Sequence, residues 1–249
     1  MGDLYRGIIT KVVPYKENDA IVTLLVDNNS FVSFKARGVF KINSKNASSL
    51  QLYTIGEYTL ESKTDYSNKT LSSASKIYFP LCIYYDLKYS IFLNFIVEIV
   101  NILKDENDDI YLLLEYAIRN IEELDINTYI LMCFKYILKN NGVLFEVDEC
   151  VSCGRKSIEV FNYNTGGFLC KNCMSTSKSN IDNLLYLKSI RIIMKSSLDK
   201  ISLFKIDYAI SYKIIIDLFK YIENNLGIFI KSKEMLLLSI HNTDSRLTR

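Results

Sequence analysis

The chain contains 249 residues, of which 49% are hydrophobic and 23% are charged. This balance is typical of a soluble globular protein and excludes a disordered or collagen-like chain. The net charge of +2 singles out no class of partner, but the charge is unevenly distributed: +3 over residues 1–80, −8 over 81–149 and +7 over 150–249. Two basic segments around an acidic one predict separate surfaces that bind different partners.

The first eighty residues predict a small β-barrel. Five segments are rich in β-branched or alternating apolar residues and are separated by polar turns: 4–13, 20–26, 31–36, 57–62 and 70–78. Asp27-Asn28-Asn29-Ser30 between the second and third segments is a hairpin signal. Five strands in this length favour a closed barrel of the oligonucleotide/oligosaccharide-binding (OB) type, although SH3-like barrels have a similar size.

Beyond Pro80 the apolar residues recur every three or four positions, which predicts helices. The predicted helices cover residues 85–104, 108–124, 127–140, 182–197, 207–225 and 231–240. The fold class is therefore α+β. We predict an OB-fold nucleic-acid-binding domain over residues 1–80 and a helical domain over 81–249, with a zinc-binding insertion at about 145–180.

Four of the six cysteines form two Cys-x-x-Cys pairs, with sixteen residues between the pairs: Cys150, Cys153, Cys170 and Cys173. Four thiolates at this spacing suit tetrahedral zinc, and a closed set of four leaves no open position for water or substrate. We therefore predict one structural zinc ion. A thioredoxin-like redox site would explain only one pair, and four unligated cysteines are the remaining alternative. Cys82 and Cys133 lie in apolar segments and are predicted to be core residues.

Several kinds of catalytic site have no counterpart in the sequence. The only histidine is His241, and neither the Walker A nor the G-x-G-x-x-G phosphate loop occurs. These features predict a binding protein rather than an enzyme. A cluster of four carboxylates suits Mg²⁺ or, as we favour, a solvated helix start: Asp105, Glu106, Asp108 and Asp109. We expect a cytoplasmic protein, since no secretory signal or membrane-spanning apolar run is visible.

A loop in the predicted barrel carries a one-signed run of charge. Lys35, Arg37, Lys41 and Lys45 are basic, and no acidic residue occurs between Phe31 and Glu57. Such a run attracts phosphates, which favours nucleic-acid binding over a merely solvated loop. The neighbouring aromatic residues suit base stacking or the core, and we favour the core: Phe34, Phe40 and Tyr53.

A second basic stripe lies on the predicted helix over 182–197. Lys188, Arg191 and Lys195 are spaced three and four residues apart and therefore share one helix face. This stripe suits an acidic peptide with an apolar end, or a phosphate. The alternative is the solvated side of an ordinary amphipathic helix.

The order of these features resembles the bacterial recombination mediator family RecO, in its zinc-containing form. Residues 17–25 (ENDAIVTLL) are similar to the family's E-x-D-x-(I/V)-(V/L)-T-L-L stretch. Residues 35–53 (KARGVFKINSKNASSLQLY) are similar to its basic loop and the Leu-Gln-Pro-Phe-like segment that ends it. The cysteine pairs and Gly166-Gly167 look like the zinc-containing members. Two departures are Phe40, where the family often has Arg, and Leu52, where it has Pro.

The resemblance implies a protein that binds single- and double-stranded DNA and anneals complementary strands, without covalent chemistry or nucleotide use. With RecR it would help to load RecA onto DNA coated by single-strand-binding protein, whose acidic tail the helical domain would contact. We predict five DNA contacts on the barrel: Arg6, Lys35, Arg37, Lys41 and Lys45. Lys188, Arg191 and Lys195 are the candidate contacts for the tail. A zinc-ribbon adaptor that binds RNA or protein in transcription or translation is the alternative, and strand annealing distinguishes the two.

Overall fold

A computed structural model describes residues 2–62, 69–103, 109–174 and 183–247. The chain divides into two compact units, Met1–Glu123 and Leu124–Arg249. The first unit contains the strands of the barrel and also two helices. The boundary between the two compact units therefore does not coincide with the change from strands to helices. The predicted domain boundary at residue 80 marks the change from strands to helices, and as a domain boundary it stays a prediction. Among the described helices, none is long and apolar enough to cross a membrane.

Five strands close into a barrel in the first unit: β1 (Asp3–Tyr15), β2 (Asp19–Val26), β3 (Phe31–Ala36), β4 (Ile55–Glu61) and β5 (Lys69–Tyr78). Their order around the barrel is β1-β2-β3-β5-β4. β3 and β5 are parallel and the other pairs are antiparallel. This is the OB fold that the sequence predicts.

The interior of the barrel is filled by buried aliphatic and aromatic side chains, against which Leu71 and Ala74 of β5 also pack: Ile9, Ala20, Val22, Leu24, Val26, Phe34, Ala36, Val39, Leu50, Tyr58 and Leu60. Tyr58 is fully buried, and its hydroxyl donates to the carbonyl oxygen of Ser49 at 3.0 Å. The polar end of this side chain is therefore satisfied, as burial of a hydroxyl requires.

A β-bulge in β1 changes which side chains face the interior. Ile9 pairs with Leu24, but the next pair is Lys11 with Thr23, so β1 gains one residue over β2 at Thr10. Before the bulge Ile9 points into the core, and after it Val12 does. Since side chains alternate along a strand, one extra residue reverses the alternation. The odd-numbered residues after the bulge consequently face outward.

The barrel closes where β1 pairs with both of its neighbours. Gly7 lies opposite Val26 of β2 and opposite Gly56 of β4. A Cβ atom at Gly7 would lie 2.5 Å from the Leu25 carbonyl oxygen and 2.8 Å from Leu24 Cγ. Both distances are below normal van der Waals contact, so this position requires glycine for close approach of the strands.

The helices begin and end near their predicted bounds, and all six predictions are confirmed. The first unit contains α1 (Leu87–Leu103) and α2 (Ile110–Asn120). The second unit contains α3 (Ile126–Asn140), α4 (Lys171–Met174), α5 (Leu184–Lys195), α6 (Tyr208–Tyr221) and α7 (Lys233–Leu247). Asp105, Glu106 and Asp108 lie outside the described residues, and Asp109 is the N-cap residue of α2. Cys82 and Cys133 are buried, as predicted.

In the second unit α5 and α6 pack against α3. Phe134 of α3 meets Phe219 of α6 edge to face at 4.8 Å between ring centroids. Side-chain caps fix the helix starts: Asp125 accepts from the Thr128 N–H and Asp207 from the Ile210 N–H. A hairpin of two short strands, β6 (Val160–Asn162) and β7 (Gly167–Leu169), lies between α3 and α4 and carries the cysteines.

We expect Gly7→Ala to destabilise the barrel. The added methyl group must push against a backbone carbonyl of β2, and overpacking of this kind costs about 1–3 kcal/mol. Urea unfolding measures the change, with Ser72→Ala on the exposed side of β5 as the control substitution. Equal stability of Gly7→Ala and the control would contradict the close approach of β1 and β2.

Candidate metal centre and nucleic-acid interface

Two tight turns bring the four cysteines together. β6 and β7 pair antiparallel, with Val160 opposite Leu169, so the hairpin brings Cys170 close to the first pair. In the first turn the N–H of Gly154 donates to the Cys150 carbonyl at 2.8 Å, and Gly154 has φ +71°. In the second turn the N–H of Cys173 donates to the Cys170 carbonyl at 3.0 Å. Each Cys-x-x-Cys unit therefore directs both sulfur atoms to one point.

The four sulfur atoms all lie within 4.8 Å of one another. Cys153 Sγ and Cys170 Sγ are 3.6 Å apart, and Cys150 and Cys170 are buried while Cys153 is exposed. Four thiol ligands at this separation can close on a tetrahedral metal ion, whose ligand sulfurs lie about 3.8 Å apart for a metal–sulfur bond of about 2.3 Å. The predicted ligand set therefore converges on one point and could hold a metal ion.

The backbone around the cluster favours the thiolate form. Burial raises the pKa of Cys150, but the backbone N–H groups of Cys170, Ser152 and Cys153 outweigh it and lower the pKa to about 6. The N–H of Cys173 likewise lowers the pKa of Cys170. Cys173 donates hydrogen bonds to the sulfurs of Cys153 and Cys170. These bonds hold the proton on Cys173 and raise its pKa to about 12. Thiolates are the metal-binding form of cysteine.

The β6–β7 hairpin is held to the rest of the second unit by backbone hydrogen bonds and aromatic packing. The N–H of Phe168 donates to the Glu146 carbonyl at 3.1 Å, and Gly167 leaves no room for a side chain, since a Cβ there would lie 2.3 Å from the same oxygen. Phe145 meets Phe161 and Tyr221 edge to face, at 5.0 and 5.2 Å between centroids. The hairpin that precedes Cys170 is thus tied to the core of the second unit.

The basic loop of the barrel contains an ion pair that its own sequence does not reveal. Lys35 Nζ lies 3.0 Å from a carboxylate oxygen of Asp19, which comes from the start of β2. The other oxygen of Asp19 accepts from the Gly38 N–H at 2.9 Å, and Gly38 has φ +63°. The Gly38 N–H and then the Lys35 ammonium lower the pKa of Asp19 below 3.8. One carboxylate therefore fixes the loop and partly neutralises Lys35.

The other basic residues of the loop lie at the surface. Val39 is buried in the barrel core, and the N–H of Phe40 donates to the Asn18 carbonyl at 3.1 Å. This anchoring leaves the Phe40 side chain outside the core, where it is 49% exposed. Three cationic side chains are exposed: Arg37, Lys41 and Lys45. Phe34 and Tyr53 are buried, which confirms the prediction that they are core residues. Phe40 is exposed, so the same prediction is wrong for Phe40.

Arg6 lies away from the basic loop. The strand register places Lys35 beside Ile21 and Ile21 beside Val13, seven residues along β1 from Arg6. Seven strand residues span roughly 20 Å. Arg6 lies instead near Glu115 of α2, with 3.9 Å between Nη2 and the carboxylate oxygen. Lys35 and Arg37 therefore lie at one end of the barrel, at the end of β3 and directly after it, and Arg6 lies elsewhere on the barrel.

The basic stripe on α5 is engaged within the second unit. Arg191 Nη2 lies 2.7 Å from Asp148, and Lys195 forms an ion pair with the same carboxylate. Arg191 also donates to the carbonyl oxygen of Val147. The hydrogen bond from Lys195 and the charge of Arg191 lower the pKa of Asp148. Lys188 is exposed, so two of the three predicted partner contacts tie α5 to the segment that precedes the metal centre.

Sequence reasoning missed Tyr15 and Lys16 at the same end of the barrel. Both are exposed: Tyr15 is the last residue of β1 and Lys16 begins the turn to β2, and Lys35 Nζ lies 4.9 Å from the centroid of the Tyr15 ring. The sequence signal for these residues was the alternation of side chains over residues 11–15. Because of the bulge at Thr10, this alternation is offset by one residue from that in the first half of β1.

These features define a class of protein: an OB-fold barrel with a basic end, joined to a helical unit that contains four clustered cysteines able to hold a metal ion. Two family profiles match the chain, "Recombination protein O N terminal" over residues 1–78 and "Recombination protein O C terminal" over residues 84–234. The chain therefore belongs to the RecO family of DNA recombination proteins, as the resemblance predicted.

Relatives with this description match along most of the chain. The DNA repair protein RecO of Mesoplasma florum is 28% identical over 258 residues, which covers 96% of this chain and 92% of the relative. That of Bacillus subtilis is 25% identical and covers 93% of this chain and 92% of the relative. That of Bacillus pumilus is 28% identical over 68% of each chain.

We expect Cys150→Ser or Cys173→Ser to lower metal content and stability, because the three remaining thiolates leave one position of the tetrahedral site to water. The metal content of the purified protein should fall below about one ion per chain, with a lower thermal midpoint. Cys82→Ser is the control, since Cys82 lies outside the cluster. DNA binding should be lost only where the chain unfolds. Loss of DNA binding in a folded, metal-depleted variant would make the cluster part of the binding surface.

The contact between Asp19 and its partners should make stability depend on pH. Because the folded pKa of Asp19 is lowered, the stability that its contacts provide is present above pH 3.8 and is lost as the pH falls through the folded pKa. The difference in unfolding free energy between wild type and Asp19→Asn should be constant from pH 7 to pH 5 and should shrink below 3.8. Urea unfolding at each pH measures it. A difference that persists unchanged to pH 2 would rule out the ionised contact.

Proposed function

We propose that this protein is a recombination mediator in DNA repair that binds single- and double-stranded DNA and anneals complementary strands. The observation that carries the proposal is the end of the barrel, where Arg37, Lys41 and Lys45 are exposed in the loop that follows the partly neutralised Lys35. Membership of the RecO family supports it. We place the protein in the cytoplasm, with the nucleoid.

The proposed activity needs no covalent chemistry. Two complementary strands repel each other through their phosphates, and cations that replace the counterion atmosphere reduce this repulsion. Arg37, Lys41 and Lys45 would contact the backbone phosphates, and Lys35 would do so in competition with Asp19. Arg6 would contribute only to a DNA segment long enough to follow β1, since it lies roughly 20 Å away along the strand.

We propose zinc as the metal, held by the four cysteines. Zinc accepts four thiolates in a closed tetrahedral set, and its binding free energy becomes folding free energy for the segment that carries the ligands. The chain's own contribution is to present the thiolates: backbone N–H groups stabilise the charge on Cys150 and Cys170. A closed set of this kind serves structure rather than catalysis.

The proposed partners are RecR, single-strand-binding protein and, through them, RecA. The acidic tail of single-strand-binding protein would bind the face of α5 that carries Lys188, Arg191 and Lys195. Asp148 already forms ion pairs with Arg191 and Lys195. An acidic tail would therefore have to displace the Asp148 carboxylate or bind chiefly at Lys188. Neither a membrane nor a small-molecule substrate enters the proposal.

Charge reversal of the barrel loop tests the proposed function. We expect the combined variant Lys35→Glu, Arg37→Glu, Lys41→Glu and Lys45→Glu to lose strand annealing, with and without single-strand-binding protein. In wild type the logarithm of single-strand affinity should fall with the logarithm of salt concentration with a slope near −3, from about −0.7 for each of about four phosphates. The measurements are an annealing assay and a salt titration.

Two controls make this result specific. Four exposed lysines of the second unit changed to Glu alter the net charge equally and should leave annealing intact: Lys139, Lys200, Lys205 and Lys220. Asp19→Asn keeps an acceptor for the Gly38 N–H but removes the charge beside Lys35, so affinity should rise. Unchanged annealing in the loop variant would move the DNA site away from the barrel end, and no binding at low salt would refute the proposed function.

A further inference from the structure

The outer face of β1, β2 and β3 presents an ordered set of side chains beside the basic loop. The bulge at Thr10 turns Lys11, Val13 and Tyr15 outward on β1. The register then aligns Val13 with Ile21 of β2, and Ile21 with Lys35 of β3. Tyr15 pairs with Asp19 in the next row. An aromatic ring, two aliphatic side chains and a cation therefore occupy neighbouring positions on one face.

The apolar members of this face are open to solvent. Tyr15 is 43% exposed, Val13 41% and Ile21 36%. The solvated face of an antiparallel sheet is ordinarily polar, so adjoining exposed apolar residues point to a ligand surface. Strands 2 and 3 and the turn between strands 1 and 2 are where OB folds bind oligonucleotides.

The ammonium groups of two lysines lie over the Tyr15 ring, where an incoming base would replace the more distant one. The ammonium groups of Lys35 and Lys16 are 4.9 and 5.7 Å from its centroid. Lys35 is held in place by Asp19. The N–H of Phe40 donates to Asn18 in the same turn, which brings a second exposed ring to this end of the barrel. The combination of an exposed ring with adjacent cations suits a base and its flanking phosphates together.

We propose that Tyr15, with Val13 and Ile21, forms a subsite for an unpaired nucleobase. A base of single-stranded DNA stacks on the Tyr15 ring and against the two aliphatic side chains, while Lys16 and Lys35 contact the phosphates on either side. A paired base cannot reach the ring, because both of its faces are stacked within the duplex. This subsite rests on the proposed function and adds to it a preference for single strands that the basic loop alone does not supply.

The absence of tryptophan from the chain permits a direct test. Tyr15→Trp introduces a single tryptophan at the proposed subsite, and stacking of a base should quench its fluorescence as oligo(dT) is added. An abasic strand of the same length carries the phosphates without bases and should bind without quenching. Tyr85→Trp is the control: Tyr85 is 85% exposed and follows β5, whose last residue Tyr78 pairs at the far end of the barrel. Its fluorescence should not change.

Affinity measurements give a second, independent readout. We expect Tyr15→Ala to weaken binding to oligo(dT) about tenfold, from the about 1–3 kcal/mol that stacking contributes for each base. Binding to duplex DNA of equal length should change by less than about twofold, and Tyr15→Phe should retain the wild-type affinity for both. Lys16→Gly removes a cation at a position with φ +57°, which glycine adopts readily, and should weaken both forms of DNA alike.

The outcomes separate the subsite from the proposed function. Binding of oligo(dT) without quenching of Tyr15→Trp, or equal loss of single- and double-strand affinity in Tyr15→Ala, would overturn the subsite and leave DNA binding in place. Failure of every strand, including the abasic one, to bind wild type at low salt would refute both. Thermal unfolding of each variant confirms that the barrel is folded, and Tyr15→Phe provides a folded reference at the same position.

Discussion

The arrangement of the barrel surface depends on one extra residue in β1. Without the bulge at Thr10, the alternation that places Ile9 in the core would continue through Lys11, Val13 and Tyr15 and would bury a lysine. A buried, unpaired ammonium group is too costly for this register to form. The bulge therefore allows one strand to contribute to the core in its first half and to display cationic and aromatic side chains in its second half.

Asp19 exerts two opposing effects on the same end of the barrel. Its carboxylate orders the loop through the Gly38 N–H and holds Lys35 near the Tyr15 ring, so the site is preorganised. The same negative charge reduces the attraction of Lys35 for phosphate. A site with fixed geometry loses less conformational entropy on binding, which offsets part of the lost electrostatic attraction. Asp148 has a similar relation to Arg191 and Lys195 on α5.

The parts of the structure that were predicted from the sequence are those encoded by local patterns. Apolar periodicity located the five strands and six helices, and the spacing of Cys150, Cys153, Cys170 and Cys173 predicted their convergence. The contacts that sequence reasoning missed join residues distant in the chain. Asp19 precedes Lys35 by sixteen residues, and Asp148 lies on a different element from Arg191. Charge counting within one segment cannot detect such partners, and it grouped Arg6 with a loop that lies elsewhere on the barrel.

The combination of cations and an exposed ring has a consequence for the direction of strand annealing. Phosphates are present in single and double strands, so Lys16, Lys35 and the exposed cations of the loop attract both. Stacking on Tyr15 is available only to an unpaired base, and that contribution disappears when the base enters a duplex. In the proposed annealing, the two separated strands would be held by stacking and by charge, whereas their product would be held by charge alone. A site of this composition therefore favours capture of the reactants and release of the duplex, which repeated annealing requires and which a purely basic surface does not provide.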